Sequence, residues 1–321
     1  MATVFITGGH SGIGLACARQ LAARRCDLVL AGRSPDRMRA VADELRAAHG
    51  VAVTTLALDI ASLASVRRAA AECAALIARG EISQLQAVLC NAGGRFDGEE
   101  RYSPDGYELT FATNCLGHFL LVELLLPTMA ADSRVVFTVS STHNPDVIDG
   151  RLIGAVVEPD ATALAGDGKD GAKPLSAGKR YATAKLCTVM YAYELARRLA
   201  RAGSAIASIA FDPGSVPETN FLRGMPTVVQ RVSRSAAMGW AFRRMGVPTS
   251  TVAFSGAALA EVAGDPRHAA GSGGYFQARE GILSQVRSSR VSYDEARALA
   301  LWDDSKRLVR LLPEEESEQL R

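Results

Sequence analysis

The chain has 321 residues, a formal net charge of +2, 48% apolar residues and 22% charged ones. That balance excludes a disordered chain and a basic nucleic-acid footprint, and the length suits one large α/β domain. Six cysteines (Cys17, Cys26, Cys73, Cys90, Cys115 and Cys187) are scattered without Cys-x-x-Cys spacing or a nearby histidine at ligand spacing. They read as reduced core residues of a cytoplasmic protein without a metal site. The N-terminus enters a strand directly, and no apolar run of ~18 residues is evident, so neither a secretion signal nor a transmembrane segment is expected.

Residues 2–7 form a short β-branched run that reads as a buried parallel strand. It continues into Gly8-Gly9-His10-Ser11-Gly12-Ile13-Gly14 and at once into a periodic helix over 15–24. Strand, glycine turn and helix in that order make a dinucleotide-binding unit. The glycines let the backbone approach a pyrophosphate, and the helix N-terminus offers free N–H groups and a positive dipole end. A second strand over 27–31 ends in Gly32-Arg33-Ser34. An NAD-binding unit would place a carboxylate here for the ribose 2′-hydroxyl; Arg33 stands there instead and suits a 2′-phosphate, which points to NADP(H).

A helix is expected over 36–49, then a strand over 52–58 that delivers Asp59 and Ile60, then a helix with Ser62 as N-cap. The fourth strand, 86–89, runs into Asn91-Ala92-Gly93-Gly94, a second glycine turn at a strand's carboxyl end, where ligands gather on an open parallel sheet. A helix over 107–129 carries Asn114 in its middle, where a residue that competes for backbone hydrogen bonds is mildly unfavourable. A fifth strand, 134–139, delivers Ser140 and Ser141 to the same edge. The segment 144–180 is rich in Gly, Asp and Lys, too polar for core, and reads as a long loop that is either a binding lid or a disordered linker. A core helix over 181–200 leads to a sixth strand, 205–211, and to the turn Asp212-Pro213-Gly214. This alternation implies a Rossmann-type, doubly wound parallel sheet with helices on both faces, in a single domain over 1–321.

The helix opens with Tyr181-Ala182-Thr183-Ala184-Lys185, and a spacing of four puts phenol and ammonium on one face. A fixed cation beside the phenol is expected to lower its pKa from the usual ~10 and make it a proton donor and acceptor near neutrality.

Six motifs in order, Thr-Gly-x-x-x-Gly-x-Gly at 7–14, Asn-Ala-Gly at 91–93, Asn114, Ser-Ser at 140–141, Tyr-x-x-x-Lys at 181–185 and Pro-Gly at 213–214, resemble the short-chain dehydrogenase/reductase family over nearly the whole chain. The runs 111–121 and 301–305 and the long insertion before Tyr181 resemble its retinol dehydrogenase and protochlorophyllide reductase branch. The resemblance implies that Tyr181 exchanges a proton with the substrate oxygen and that Lys185 tunes it and binds the nicotinamide ribose. Ser141, as the second serine of the pair, would hydrogen-bond the substrate oxygen, and Asn114 would hold a water. It implies further that Gly8, His10, Ser11, Gly12, Ile13 and Gly14 cradle the phosphates, and that Asp59 and Ile60 flank the adenine. Asn91, Ala92 and Gly93 would flank the ribose, and Pro213, Gly214, Val216 and Thr219 the nicotinamide end. Asp212 departs from the residue that often precedes Pro-Gly in this family and has no reading from sequence. His143 reads as a solvated loop residue or a pocket residue, and His118 as a packing residue.

Beyond Pro-Gly, apolar residues at helical spacing over about 217–248, with arginines opposite, read as a substrate lid, a packed helix or a shallow membrane contact. In the tail, Ser292 to Glu295 reads as a capping box, and Ala296, Leu299 and Trp302 as a stripe that docks on the body. The expectation is an NADP(H)-dependent oxidoreductase acting on a carbonyl or alcohol of a hydrophobic small molecule, as a monomer or homodimer. The alternatives are a light-dependent double-bond reductase of the protochlorophyllide type and a non-catalytic NADP-binding sensor.

Overall fold

Strands that are apolar at successive positions need cover on both faces, and the first strand shows how it is supplied. In β1 (Thr3–Thr7), Val4 and Ile6 join one core cluster while Phe5 joins another on the opposite face. A computed structural model describes residues 2–98, 101–169, 171–216, 244 and 247–320. Nearly all of the expected lid and Thr219 fall outside them.

Among the described residues, seven parallel strands and one antiparallel edge strand form a single sheet. They are β1, β2 (Asp27–Gly32), β3 (Val53–Ala57), β4 (Leu85–Cys90), β5 (Met129–Thr138), β6 (Ala207–Asp212), β7 (Tyr275–Arg279) and β8 (Ile282–Val286). Their order is β3-β2-β1-β4-β5-β6-β7-β8. The order reverses between β1 and β4, so the ends of these two strands open the crevice in which ligands of such sheets bind. The last two strands were not anticipated from sequence. Glu280 and Gly281 both take positive φ (50° and 79°), which closes the tight hairpin that pairs β8 with β7.

Helices α1 (Gly12–Ala23), α2 (Pro35–His49) and, from the far end of the chain, α9 (Val252–Gly264) supply residues to one core cluster. The other face carries α3 (Leu63–Ala78), α5 (Gly117–Leu125), α8 (Ala177–Arg201) and α10 (Glu295–Leu308). Ser62 caps α3 as expected, its side chain accepting from Ser65 N. The run Leu109–Thr128 has the length and mean hydropathy (1.6) of a membrane span, which the sequence reading missed because Asn114, His118 and Glu123 interrupt it. Of its most apolar window 94% is buried inside the fold, so it is a core helix.

The tail docks differently from expectation. Asp294, not Ser292, caps α10 by accepting from Arg297 N, while Ser292 belongs to a preceding 3-10 turn. That shifts the buried stripe to Ala298, Leu301, Trp302 and Ser305; Ala296 and Leu299 are exposed. Trp302 meets Phe119 edge to face at 4.8 Å, with the Arg198 guanidinium over its ring. The 144–180 segment is likewise ordered into short elements, α6 (Ile148–Ile153) and α7 (Ala161–Ala165), and α8 begins at Ala177, capped by Ser176.

Glu123 of α5 is buried, and that burial pushes its carboxyl up to about 7 despite the opposing charges of Lys306 and Arg198. An unfolded glutamate ionises near ~4.3, so between that pH and 7 the folded protein holds the extra proton and stability falls as pH rises. Glu123→Gln cannot titrate. Its stability relative to the parent, from denaturant unfolding, is expected to climb between roughly pH 4 and 8 by up to about 3 kcal/mol, and parallel curves would contradict the burial argument.

Candidate active site

The crevice at the β1–β4 reversal is a cleft of about 860 Å³. Its floor is the turn from β1 into α1. Gly8 and Gly12 sit at φ +69° and +54°, and a Cβ on Gly14 would come within 2.5 Å of Gly8 O and 2.6 Å of Asn91 Nδ2. Only glycine allows that approach. Ser11 makes no side-chain cap hydrogen bond and the first turn carries no acidic residue, so the positive end of α1 faces the cleft without a counter-charge from its own turn. Thr7 ties the floor together, its Oγ1 accepting from Asn91 N and Ala92 N at 2.9 Å each. Asn91 spends its side chain on the same brace, donating to Thr7 O at 2.9 Å. Gly8, His10, Ser11, Gly12, Ile13, Gly14, Asn91, Ala92 and Gly93 all line the cleft, as do Asp59, Ile60, Pro213, Gly214 and Val216.

One end of the cleft is basic. Arg33 and Arg37 line it with Ser34 and His10, and neither arginine forms a salt bridge among the described residues. Burial, then the charges of Arg37 and Arg33, hold the His10 imidazole below its usual value, and its Nδ1 is buried without a hydrogen-bond partner. Arg37, one turn into α2, was missed by the sequence reading, which stopped at the position fixed by the strand end.

At the other end stand Tyr181 and Lys185, both buried. Lys185 Nζ donates to Thr138 O at 2.8 Å and lies 5.6 Å from the centre of the Tyr181 ring. Burial lowers the Lys185 ammonium to about 8. Burial also lifts the Tyr181 phenol above its usual value; a hydrogen bond from the Ser140 side chain and the charge of Arg95 oppose that lift, and Asp212 adds to it. The expected dominance of Lys185 over the phenol is therefore corrected: removal from water outweighs the neighbouring cation.

The two hydroxyls of the serine pair point to different partners. Ser140, not Ser141, presents its hydroxyl to Tyr181. Past the end of β5 the chain tightens into a 3-10 turn, Ser141–His143, which Ser140 caps by accepting from Thr142 N. Ser141 turns its hydroxyl to Asp149 on α6.

Asn114 sits in a π turn, Ala112–Leu116, between the short helix α4 (Leu109–Phe111) and α5. The local widening explains how a poor helix former is held there. Its Nδ2 donates to Thr110 O and Gly94 O at 2.8 Å each, fastening the second glycine turn beside Lys185. His118 is a satisfied packing residue, bonded to Thr7 Oγ1 at 3.0 Å and held at about 3 by burial. His143 is neither solvated nor in the cleft. It is buried and neutral, with Nδ1 donating to Ser140 O at 2.6 Å and Nε2 accepting from Ser289 N at 3.1 Å, so it pins the serine turn to the tail.

A glycine-floored crevice with an uncapped helix end, and a Tyr–Ser–Lys cluster at its far wall, are now fixed in place. Residues 2–148 match the family model for short chain dehydrogenase. A protein of Streptomyces sp. (strain C5), named as a daunorubicin C-13 ketoreductase, is 31% identical over 96% of this chain and 92% of its own. Chloroplastic protochlorophyllide reductase A of Oryza sativa subsp. japonica is 30% identical over 96% and 81%. A short chain dehydrogenase/reductase of Colletotrichum higginsianum is 32% identical over 70% of this chain, which spans 57% of that longer relative.

The chain belongs to the short-chain dehydrogenase/reductase family. Within it, the chain falls in the retinol dehydrogenase-like branch. The family's nicotinamide dinucleotide fits the cleft: the uncapped α1 N-terminus and the glycine floor would hold its phosphates, and the walls by Lys185 and Pro213 its nicotinamide half.

With five lysines in the chain, ¹³C labelling at Cε makes Lys185 directly observable. One signal is expected to titrate about 8 and to be absent from Lys185→Gln. If the signal lost in that variant titrates near the ordinary ~10.4, the burial described for Lys185 is wrong.

Proposed function

We propose that the protein is an NADP(H)-dependent oxidoreductase that moves a hydride between nicotinamide and the carbonyl or alcohol carbon of a hydrophobic small molecule. The observation that carries this is the Tyr181–Ser140 pair on the wall of a cleft whose far end holds Arg33 and Arg37. The nicotinamide, when bound, supplies or accepts the hydride. Everything else falls to this chain. Tyr181, kept protonated by burial, gives its proton to the carbonyl oxygen in reduction and recovers it in oxidation. Ser140 donates a hydrogen bond to the same oxygen and steadies the charge that develops there. Lys185, held on Thr138 O, fixes positive charge behind the phenol and reaches toward the cofactor ribose. Asn114 braces Gly94 and so shapes the wall on which Lys185 stands.

Phe96, Leu109, Leu152, Ile153 and Val247 line the cleft on the substrate side, and Leu152 is 64% exposed, which supports an apolar substrate. The relative named as a ketoreductase supports a carbonyl as the reacting group. Oxidation of NADPH in the dark separates this reading from a light-dependent double-bond reduction, and any turnover separates it from a sensor.

Two substitution sets test it. Tyr181→Phe and Ser140→Ala are each expected to lower turnover of an aromatic or terpenoid ketone by at least ~10²-fold with NADPH binding kept, whereas Ser141→Ala lowers it by less than ~10-fold. The reverse order for the two serines would return the role to Ser141. Arg33→Ala and Arg37→Ala should weaken NADPH by about 10-fold or more and leave NADH nearly unchanged, as loss of a charge-assisted phosphate contact requires. Equal weakening of both cofactors would refute the phosphate contact.

A further inference from the structure

The residue without a reading from sequence, Asp212, turns out to be a junction. It ends β6 beneath the cleft with no exposed surface. Its Oδ1 accepts from Gly214 N at 2.9 Å, and its Oδ2 accepts from Tyr275 Oη at 3.0 Å and Gln277 Nε2 at 2.7 Å. The backbone N–H of Ser141 donates to it as well. These donors come from three different places: the Pro213–Gly214 turn on the cofactor side, the serine turn on the substrate side, and β7. All four are neutral, so no cation cancels the carboxylate at close range, and four directed N–H and O–H groups replace the water it has lost. The ionisable groups that face it are Tyr181 and Lys185 from α8, Asp149 from α6 and Tyr275 from β7.

We propose that Asp212 is a positioning residue whose buried carboxylate locks the serine turn to the Pro213–Gly214 turn and faces Tyr181 and Lys185 with a fixed negative charge. A neutral residue could hold the two turns together by hydrogen bonding alone. The charge does more: it favours the ammonium of Lys185 and disfavours ionisation of Tyr181. Burial and the carboxylate thus both keep the phenol's proton on until substrate takes it, while Cys115 and, after it, the carboxylate offset part of the burial that would strip Lys185 of its charge.

Asp212→Asn keeps the shape and removes the charge. In the ¹³Cε-lysine spectrum, the Lys185 titration is expected to move from about 8 to lower pH by about one unit in this variant. Tyr275→Phe, which removes one donor and leaves the charge, should leave it in place. Should the Asn variant fail to fold, Asp212→Ser, which retains an acceptor for Gly214 N, is expected to give the same displacement. An unmoved Lys185 titration in a folded Asp212→Asn or Asp212→Ser variant overturns the electrostatic role. A second arm rests on the proposed carbonyl reduction. There the alkaline fall of kcat should move to lower pH by about one unit in Asp212→Asn, and a uniform loss at every pH, with no displacement, would overturn the proposal. If the parent reduces no carbonyl at all, the functional reading fails, and the lysine titration still decides the role of Asp212.

Discussion

The site depends on a phenol withdrawn from water and paired with one hydroxyl. Tyr181 is buried at the carboxyl edge of the sheet, and what keeps it usable there is the hydrogen bond from Ser140. Burial alone would leave a weak acid with no path to a substrate. The pair exists because two elements with different geometries end together: β5 gives way to a 3-10 turn at Ser141, and α8 starts four residues before Tyr181, capped by Ser176. His143 holds that turn by its Nδ1–H on Ser140 O, and Asp212 holds the next residue by its backbone N–H. The hydroxyl that faces the phenol is therefore positioned from two sides by groups that need not touch substrate.

The electrostatics follow from the same burial. Lys185 and Tyr181 are both pushed toward their uncharged forms, one downward and one upward. A general acid that must hold its proton until the carbonyl oxygen receives charge is served by this arrangement. The opposite end of the cleft has the opposite character, with Arg33, Arg37 and His10 gathered where no carboxylate answers them among the described residues. A nicotinamide dinucleotide, with its adenosine half at the basic end and its flat, reactive ring at the other, fits that polarity.

Most of the framework was legible because strand–helix alternation and the glycine turn report on backbone geometry, which neighbouring residues encode. β1 with its turn, Ser62 as a cap, and the Tyr181–Lys185 pair on one helix were readable for that reason. What escaped depends on contacts between distant segments. Asp212 has one local partner, Gly214 N, but its other partners lie far away at Ser141, Tyr275 and Gln277. The β7–β8 hairpin follows the last strand–helix alternation, and the Glu280-Gly281 turn that marks it was passed over. Asn114 looked like a flaw in a helix and is instead the marker of a π turn. Which serine hydroxyl meets Tyr181 and which meets Asp149 depends on the 3-10 turn after β5 and on α6, a contact between segments that the local sequence does not encode. The tail stripe slipped because the cap lies at Asp294, two residues beyond the serine chosen for it.

A crystal structure of the protein with NADP and an unreactive ketone or alcohol analogue tests the central claim most directly. The predicted result is a ligand oxygen within ~2.6–3.2 Å of both the Tyr181 hydroxyl and the Ser140 hydroxyl, with Ser141 still turned to Asp149. A ligand oxygen held by Ser141, or bound away from Tyr181, would contradict it.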